Sequence, residues 1–394
     1  MAARRHDRVL ARAVPGRAEG GRRPRRPLQL PAPAARGRGR RPAGRRVGAV
    51  VTVGVTGCYG AVGRALVRRL RGRPRLGGRD LAKVRSLAPP GAEAVEVDVD
   101  DAAALAEFCD GCAVVVNCAG PSASVGDTVA LAALRAGAHY VDVAGEQLDR
   151  SRLTALARGR AAVLAAGMMP GLSALLPRAL AERVGRPFRL VARVGGLDRF
   201  TKAAALDYVA ALHGEDAAPL AAWQGHRPLR GALRPAENVV LPHFPGRVSA
   251  YPYLSGETQR LARTLDLAEV EWWGVFDGER TLRALSGARD KEIGQAAEDL
   301  ELAARLDALG RRPYFQLVFD LDGRVLVVRA ADSYELTAAL AATATRAVAA
   351  GRVPPGAHDA SAVLDPAAVL KELRDDPAVE VTELSRARVE EGVL

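Results

Sequence analysis

Residues 51–70, VTVGVTGCYGAVGRALVRRL, constrain the fold more than any other stretch of the chain. Val51, Val53 and Val55 alternate with small residues as in a short buried strand, and Gly57, Gly60 and Gly63 then punctuate a turn that runs into helical spacing from Arg64 to Leu70. A helix starting there points its free backbone N–H groups and its positive dipole end at the turn, and glycines let a diphosphate reach the backbone without meeting a Cβ. The stretch reads as a dinucleotide pyrophosphate site. Its G-x-x-G-x-x-G spacing departs from the commonest G-x-G-x-x-G fingerprint, so a tight strand-to-helix turn without a ligand is the competing reading.

Beyond Leu70 the chain alternates strands with helices. Pro74–Gly78 is a second strand, and Arg79-Asp80 opens the next helix at the place where a dinucleotide fold inspects the adenosine ribose. An acid there favours NAD, whereas the Arg79 guanidinium can grip a 2′-phosphate and favours NADP, with Asp80 next door keeping NAD as the other candidate. Residues 93–97 form a third strand ending in Asp98-Val99-Asp100-Asp101, where Asp98 either meets the adenine or caps a helix. The apolar run Ala113–Val116 breaks at Asn117-Cys118-Ala119-Gly120-Pro121, as a central parallel strand opening on the nicotinamide ribose would. A helix over Val125–Ala136, a strand over His139–Val143, a helix over Ser151–Arg158 and a strand over Ala161–Ala165 complete a doubly wound parallel sheet.

Charge is concentrated at one end. The chain has 394 residues and a formal charge of +12, but residues 1–50 alone hold 15 arginines against two acids, so the rest is nearly neutral. That leader, rich in Arg, Pro, Gly and Ala, lacks apolar periodicity and is expected to be disordered. With 53 Arg against 4 Lys overall, it resembles chance translation of GC-rich DNA, and a natural start near Val51 is expected. Nucleic acid is therefore no expected partner of the folded body. No signal-type apolar core and no apolar run of about 18 residues occurs, so a cytoplasmic protein without a membrane anchor is expected. Cys109 and Cys112 form a lone C-x-x-C with neither a second pair nor a histidine cluster, so no metal site is expected.

The order of these signals resembles the saccharopine dehydrogenase family. The likeness rests on Gly57–Gly63, Gly78-Arg79-Asp80, Asp98, Val116–Pro121, Ala136–Glu146 and Gly167–Ser173, and resumes weakly over Asp332–Pro366. Where that family commonly has an acid before Pro-Gly, this chain has Met169. The resemblance implies pyrophosphate contacts at Gly57, Tyr59, Gly60 and Ala61 and a ribose-phosphate contact at Arg79. With Gly63, Asp98, Asn117, Ala119, Gly120 and Pro121, these are the candidate cofactor-binding residues. It also implies an NAD(P)-binding domain over 51–175, an α+β substrate and dimerisation domain with a mainly antiparallel sheet over 176–330, and a returning segment over 331–394. A homodimer acting on a small molecule is expected.

The second region reads as strands over Arg189–Gly196, Val248–Leu254, Glu269–Phe276, Gln316–Leu321 and Arg324–Val328, the last two joined through Asp322-Gly323 as a hairpin. Tyr251, Tyr253, Trp272 and Trp273 are pocket candidates, though aromatic strand residues more often pack in cores. Lys202 is a candidate for a carbonyl or carboxylate substrate. Proton-donor candidates cluster at the fifth strand in His139, Tyr140, Asp142 and Glu146, with Asp142 and Glu146 as the preferred catalytic pair. None of the seven tyrosines is followed four residues later by lysine, which argues against the short-chain dehydrogenase chemistry that Thr56-Gly57 and Asn117–Gly120 otherwise suggest. The expected activity is NADP-dependent reduction of a C=N or C=C bond in a small biosynthetic intermediate, with a non-enzymatic NADP-binding redox sensor as the alternative.

Overall fold

Seven short parallel strands form the first sheet. In the computed structural model, which describes residues 52–213 and 218–385, these are β1 (Val53–Thr56), β2 (Arg75–Gly78), β3 (Glu93–Glu96), β4 (Val114–Asn117), β5 (His139–Asp142), β6 (Ala161–Leu164) and a late strand, Gly356–Asp359. They lie in the order β3-β2-β1-β4-β5-β6 with Gly356–Asp359 beyond β6. β1, β4 and β6 are buried along their whole length, which explains their near-continuous Val and Ala runs: a parallel sheet covered on both faces has no solvent side to encode. The expectations for residues 1–50 lie outside the described residues.

Helices α1 (Ala61–Val67), α2 (Leu81–Leu87), α3 (Ala102–Cys109), α4 (Ser122–Val125), α5 (Thr128–Arg135), α6 (Arg150–Ala157) and α7 (Leu172–Val184) connect and cover the strands. One face packs Leu66, Val55 and Val116 against the Ala-rich helix Ser333–Ala349, and the other packs Leu105, Phe108, Leu131 and Leu153. The helix expected over Val125–Ala136 is instead two helices, broken at Gly126, whose φ of +53° and ψ of −136° no helix accommodates. The break leaves α4 as a separate turn over the carboxyl edge of the sheet.

The second sheet is mixed and mostly antiparallel. Its centre is β7 (Arg189–Leu197), antiparallel to Tyr314–Leu321 and parallel to Glu269–Phe276. Tyr314–Leu321 continues through the Asp322-Gly323 turn into Arg324–Ala330. Helix α8 (Lys202–Leu212) follows β7 and packs on Ile293–Asp307. The chain beyond 331 divides between the sheets: Ser333–Ala349 and Gly356–Asp359 join the first, but Val379–Ser385 pairs with Arg324–Ala330 in the second. Of the segment expected to return over 331–394, the described residues 331–385 therefore do not join the first sheet as a whole. Arg69, just beyond the end of α1, ties these parts together, bonding Glu335 at 2.7 Å and Asp376 at 2.6 Å.

Candidate functional site

The strand order reverses between β1 and β4, and a cleft of about 530 Å³ opens there, at the carboxyl ends of the strands. The glycine turn forms its floor. Gly57, Tyr59, Gly60 and Ala61 line it, and α1 begins at Gly60 with no side chain capping its first turn. Gly63 is buried beneath instead. A Cβ on Gly63 would stand 2.3 Å from the Gly57 carbonyl oxygen, so this glycine lets helix and turn close on each other, whereas Gly60 is exposed and a Cβ there would stand 3.2 Å from the same oxygen. Such a cradle fits a dinucleotide pyrophosphate.

The adenosine side is built at the end of β2. The Tyr59 ring lies over Gly78, where a Cβ would come within 2.5 Å of it. Arg79 and Asp98 line the cleft beside it, and among the described residues no carboxylate pairs with Arg79. Asp80 is occupied otherwise: it caps α2 by accepting the Lys83 backbone N–H at 3.1 Å. Capping of α3 falls to Asp101, which accepts from Ala103 and Ala104. Asp98 accepts the Asp100 N–H at 3.2 Å in a local turn and stays at the cleft.

At the opposite end, Ala119, Gly120 and Pro121 line the cleft, whereas Asn117 lies below it. Register sets Thr56 beside Asn117 and Asn117 beside Asp142. Asn117 Oδ1 accepts from Thr56 Oγ1 at 2.8 Å and from the Ala119 N–H at 3.1 Å, which leaves Nδ2 to donate to Asp142 at 3.3 Å. The Tyr140 hydroxyl and the Ala144 N–H, the latter at 2.8 Å, donate to the same carboxylate. Burial pushes the Asp142 pKa up, and Tyr140, Ala144 and Asn117 pull it back down. Three donors and no acceptor make this a site for a charged carboxylate.

The remaining candidates separate. Glu146 is exposed, pairs with Arg260 and does not line the cleft, so the structure does not bring it to Asp142. His139 stands at the amino end of β5, accepting the Ala161 N–H at 2.9 Å, and cannot reach the crevice. Tyr251, Tyr253, Trp272 and Trp273 do not line it; Trp272 packs on Phe319 with ring centroids 5.9 Å apart. Lys202 does line it, with its ammonium 3.2 Å from Glu298. The thiols beside the turn, buried Cys58 and half-buried Cys118, are poor nucleophiles: desolvation raises Cys58 to about 11 and pushes Cys118 up further.

The far wall comes from the second region, and here lies the residue that sequence reasoning missed. Thr201 to Ala204, Asp207 and Tyr334 face the cleft. Asp207 accepts the Ser122 backbone N–H at 2.8 Å and the Ser122 hydroxyl at 3.3 Å. It thereby caps α4, whose own N-cap, Pro121, has no side chain to do so.

Residues 53–167, which carry the turn, Arg79 and Asp142, match the family model of the saccharopine dehydrogenase NADP binding domain. These residues thus form a saccharopine dehydrogenase-type NADP binding domain. Among solved structures, the chain is similar to the apo saccharopine dehydrogenase (L-Glu forming) of Saccharomyces cerevisiae, at 15% identity and a TM-score of 0.58, over 86% of this chain and all (100%) of that one. It is also similar to a homospermidine synthase from Legionella pneumophila in complex with NAD, at 11% identity and a TM-score of 0.54, over 86% of this chain and 92% of that one. At such identities the likeness speaks to the fold. No curated protein matches the chain. Among the described residues no helix is long and apolar enough to cross a membrane, and no cluster of side chains could hold a metal ion.

Proposed function

We propose that this NAD(P)-dependent oxidoreductase prefers NADP and reduces a C=N bond of a small biosynthetic intermediate. The observation that carries the reading is the single cleft lined at once by the Gly57–Ala61 turn, by Arg79 and by Asp142. Arg79 supplies a cation for a 2′-phosphate, and Asp80, which caps α2 and pairs with Lys83, does not line the cleft.

A bound nicotinamide supplies the hydride; the chain supplies position and charge. Gly57 to Ala61 would hold the pyrophosphate, and Ala119 to Pro121 the nicotinamide ribose. Asp142, charged and held by three donors, puts negative charge where the acceptor bond would sit. That charge suits a protonated C=N bond better than a neutral C=C bond, because an iminium already carries its proton and needs no strong acid from the protein.

The test is NADPH consumption with a panel of cyclic and acyclic imines beside enoyl thioesters. Turnover confined to imines is the expected result, and reduction of the enoyl thioesters alone would overturn the C=N assignment.

A further inference from the structure

Two carboxylates face the same end of the cleft with no cation between them. Asp142 approaches from the end of β5 and Asp207 from α8. Neither forms a salt bridge among the described residues, and the charged group that acts on Asp207 is Asp142 itself. Each accepts several hydrogen bonds, Asp142 from Ala144, Asn117 and Tyr140 and Asp207 from the Ser122 N–H and hydroxyl, and these bonds favour the charged form against the rise in pKa that burial causes. The cations of the cleft are elsewhere. Lys202 is paired with Glu298, and Arg79 leaves the sheet at β2, three strand spacings from β5, or about 14 Å.

Uncompensated negative charge in a half-enclosed crevice is costly unless the ligand brings the counter-charge. The oxidised and reduced forms of a nicotinamide differ by one hydride, that is one proton and two electrons, and the oxidised ring is left with one positive charge. Resting on the proposed cofactor reading, we infer that Asp142 and Asp207 together set the redox preference of the site, holding oxidised cofactor more tightly relative to reduced and so favouring hydride delivery to the substrate. Asp207 suits this role because Ser122 fixes it at two points, so its charge keeps its place as the ligand changes. A cationic substrate group would meet the same field, so the effect must be read without substrate.

The experiment is calorimetric titration of the full-length protein with NADP⁺ and with NADPH separately, for the wild type, Asp207→Asn, Asp142→Asn and Ser122→Ala. Asp207→Asn removes the charge and keeps an acceptor for Ser122; Ser122→Ala removes a hydrogen bond and keeps the charge. The expected result is a wild-type preference for NADP⁺ that falls roughly tenfold in Asp207→Asn, as loss of one partly screened charge predicts, and stays within about twofold in Ser122→Ala. Asp142→Asn should move the ratio in the same direction. General disruption weakens both forms alike, so an unchanged ratio in Asp207→Asn overturns the inference even if affinity drops, as does an equal shift in Ser122→Ala. Failure of the wild type to bind either form overturns the cofactor reading itself, a result distinct from binding with a fixed ratio.

Discussion

The carboxylate of Asp80 accepts the Lys83 backbone N–H at 3.1 Å and pairs with the Lys83 ammonium at 3.1 Å. The acid that could have read a 2′-hydroxyl is thereby committed to its own helix, and Arg79 is left at the cleft. Arg79→Asp should weaken NADPH binding relative to NADH by about ten- to a hundredfold, the worth of a lost charge-assisted contact. Asp80→Ala should lower stability slightly through the lost cap and leave cofactor discrimination alone. Parallel titrations with the two cofactors check both, and unchanged discrimination in Arg79→Asp would remove that residue from the site.

Gly63→Ala places a methyl group 2.3 Å from the Gly57 carbonyl and 2.7 Å from the Cys58 backbone. Backbone cannot yield as a side-chain tip can, so the turn and α1 must separate. The expected outcome is a stability loss of at least ~2 kcal/mol together with loss of NADPH affinity, measured by denaturation and titration. A variant that binds normally would show that the turn does not shape the nucleotide site.

Tyr140→Phe deletes a donor to a buried carboxylate. The expected cost is about 1.5–3 kcal/mol while Asp142 is ionised. Loss of the donor raises the Asp142 pKa further above its ordinary value, so the native state takes up a proton more readily than the unfolded chain. Stability of the variant should therefore fall, relative to wild type, as pH rises through the carboxylate range. Equal costs from chemical denaturation at about pH 5 and about pH 8 would contradict an ionised Asp142.

Glu257 carries a second titration. It accepts the Gly171 N–H at 2.8 Å and the Ser173 hydroxyl at 2.5 Å. Burial pushes it from 4.5 to about 7, Ser173 and Gly171 oppose the rise, and Glu146 adds to it while Arg260 opposes it. Because the folded value lies above the unfolded one, the native state holds the proton more tightly, and stability is lost as pH rises from the unfolded toward the folded value. Glu257→Gln should remove this loss, gaining on wild type by an amount of the order of 3 kcal/mol between about pH 5 and about pH 8. Parallel stability curves for the two proteins would refute it.

The first sheet was legible because parallel strands buried on both faces announce themselves as apolar runs such as Val114-Val115-Val116, and the switch point follows from the order of helices and strands. In the second sheet, Glu269–Phe276 was readable by its bounds, but its parallel pairing with β7 was not, since alternation fixes faces and not partners. The cofactor half of the cleft is local in sequence, and so it was visible. Asp207 was not, because its partner Ser122 lies 85 residues away and nothing around Asp207 differs from an ordinary helical acid. Glu146 misled for the converse reason: four residues from Asp142 in sequence, it is drawn off by Arg260, 114 residues further on.

The central claim is that the cleft between β1 and β4 holds a nicotinamide dinucleotide. Calorimetric titration of the full-length protein with NADPH tests it most directly. The expected result is saturable binding of one cofactor per chain well below ~1 mM, abolished in Gly63→Ala. Absence of any heat of binding at millimolar NADPH and NADH, with the protein folded, would contradict it.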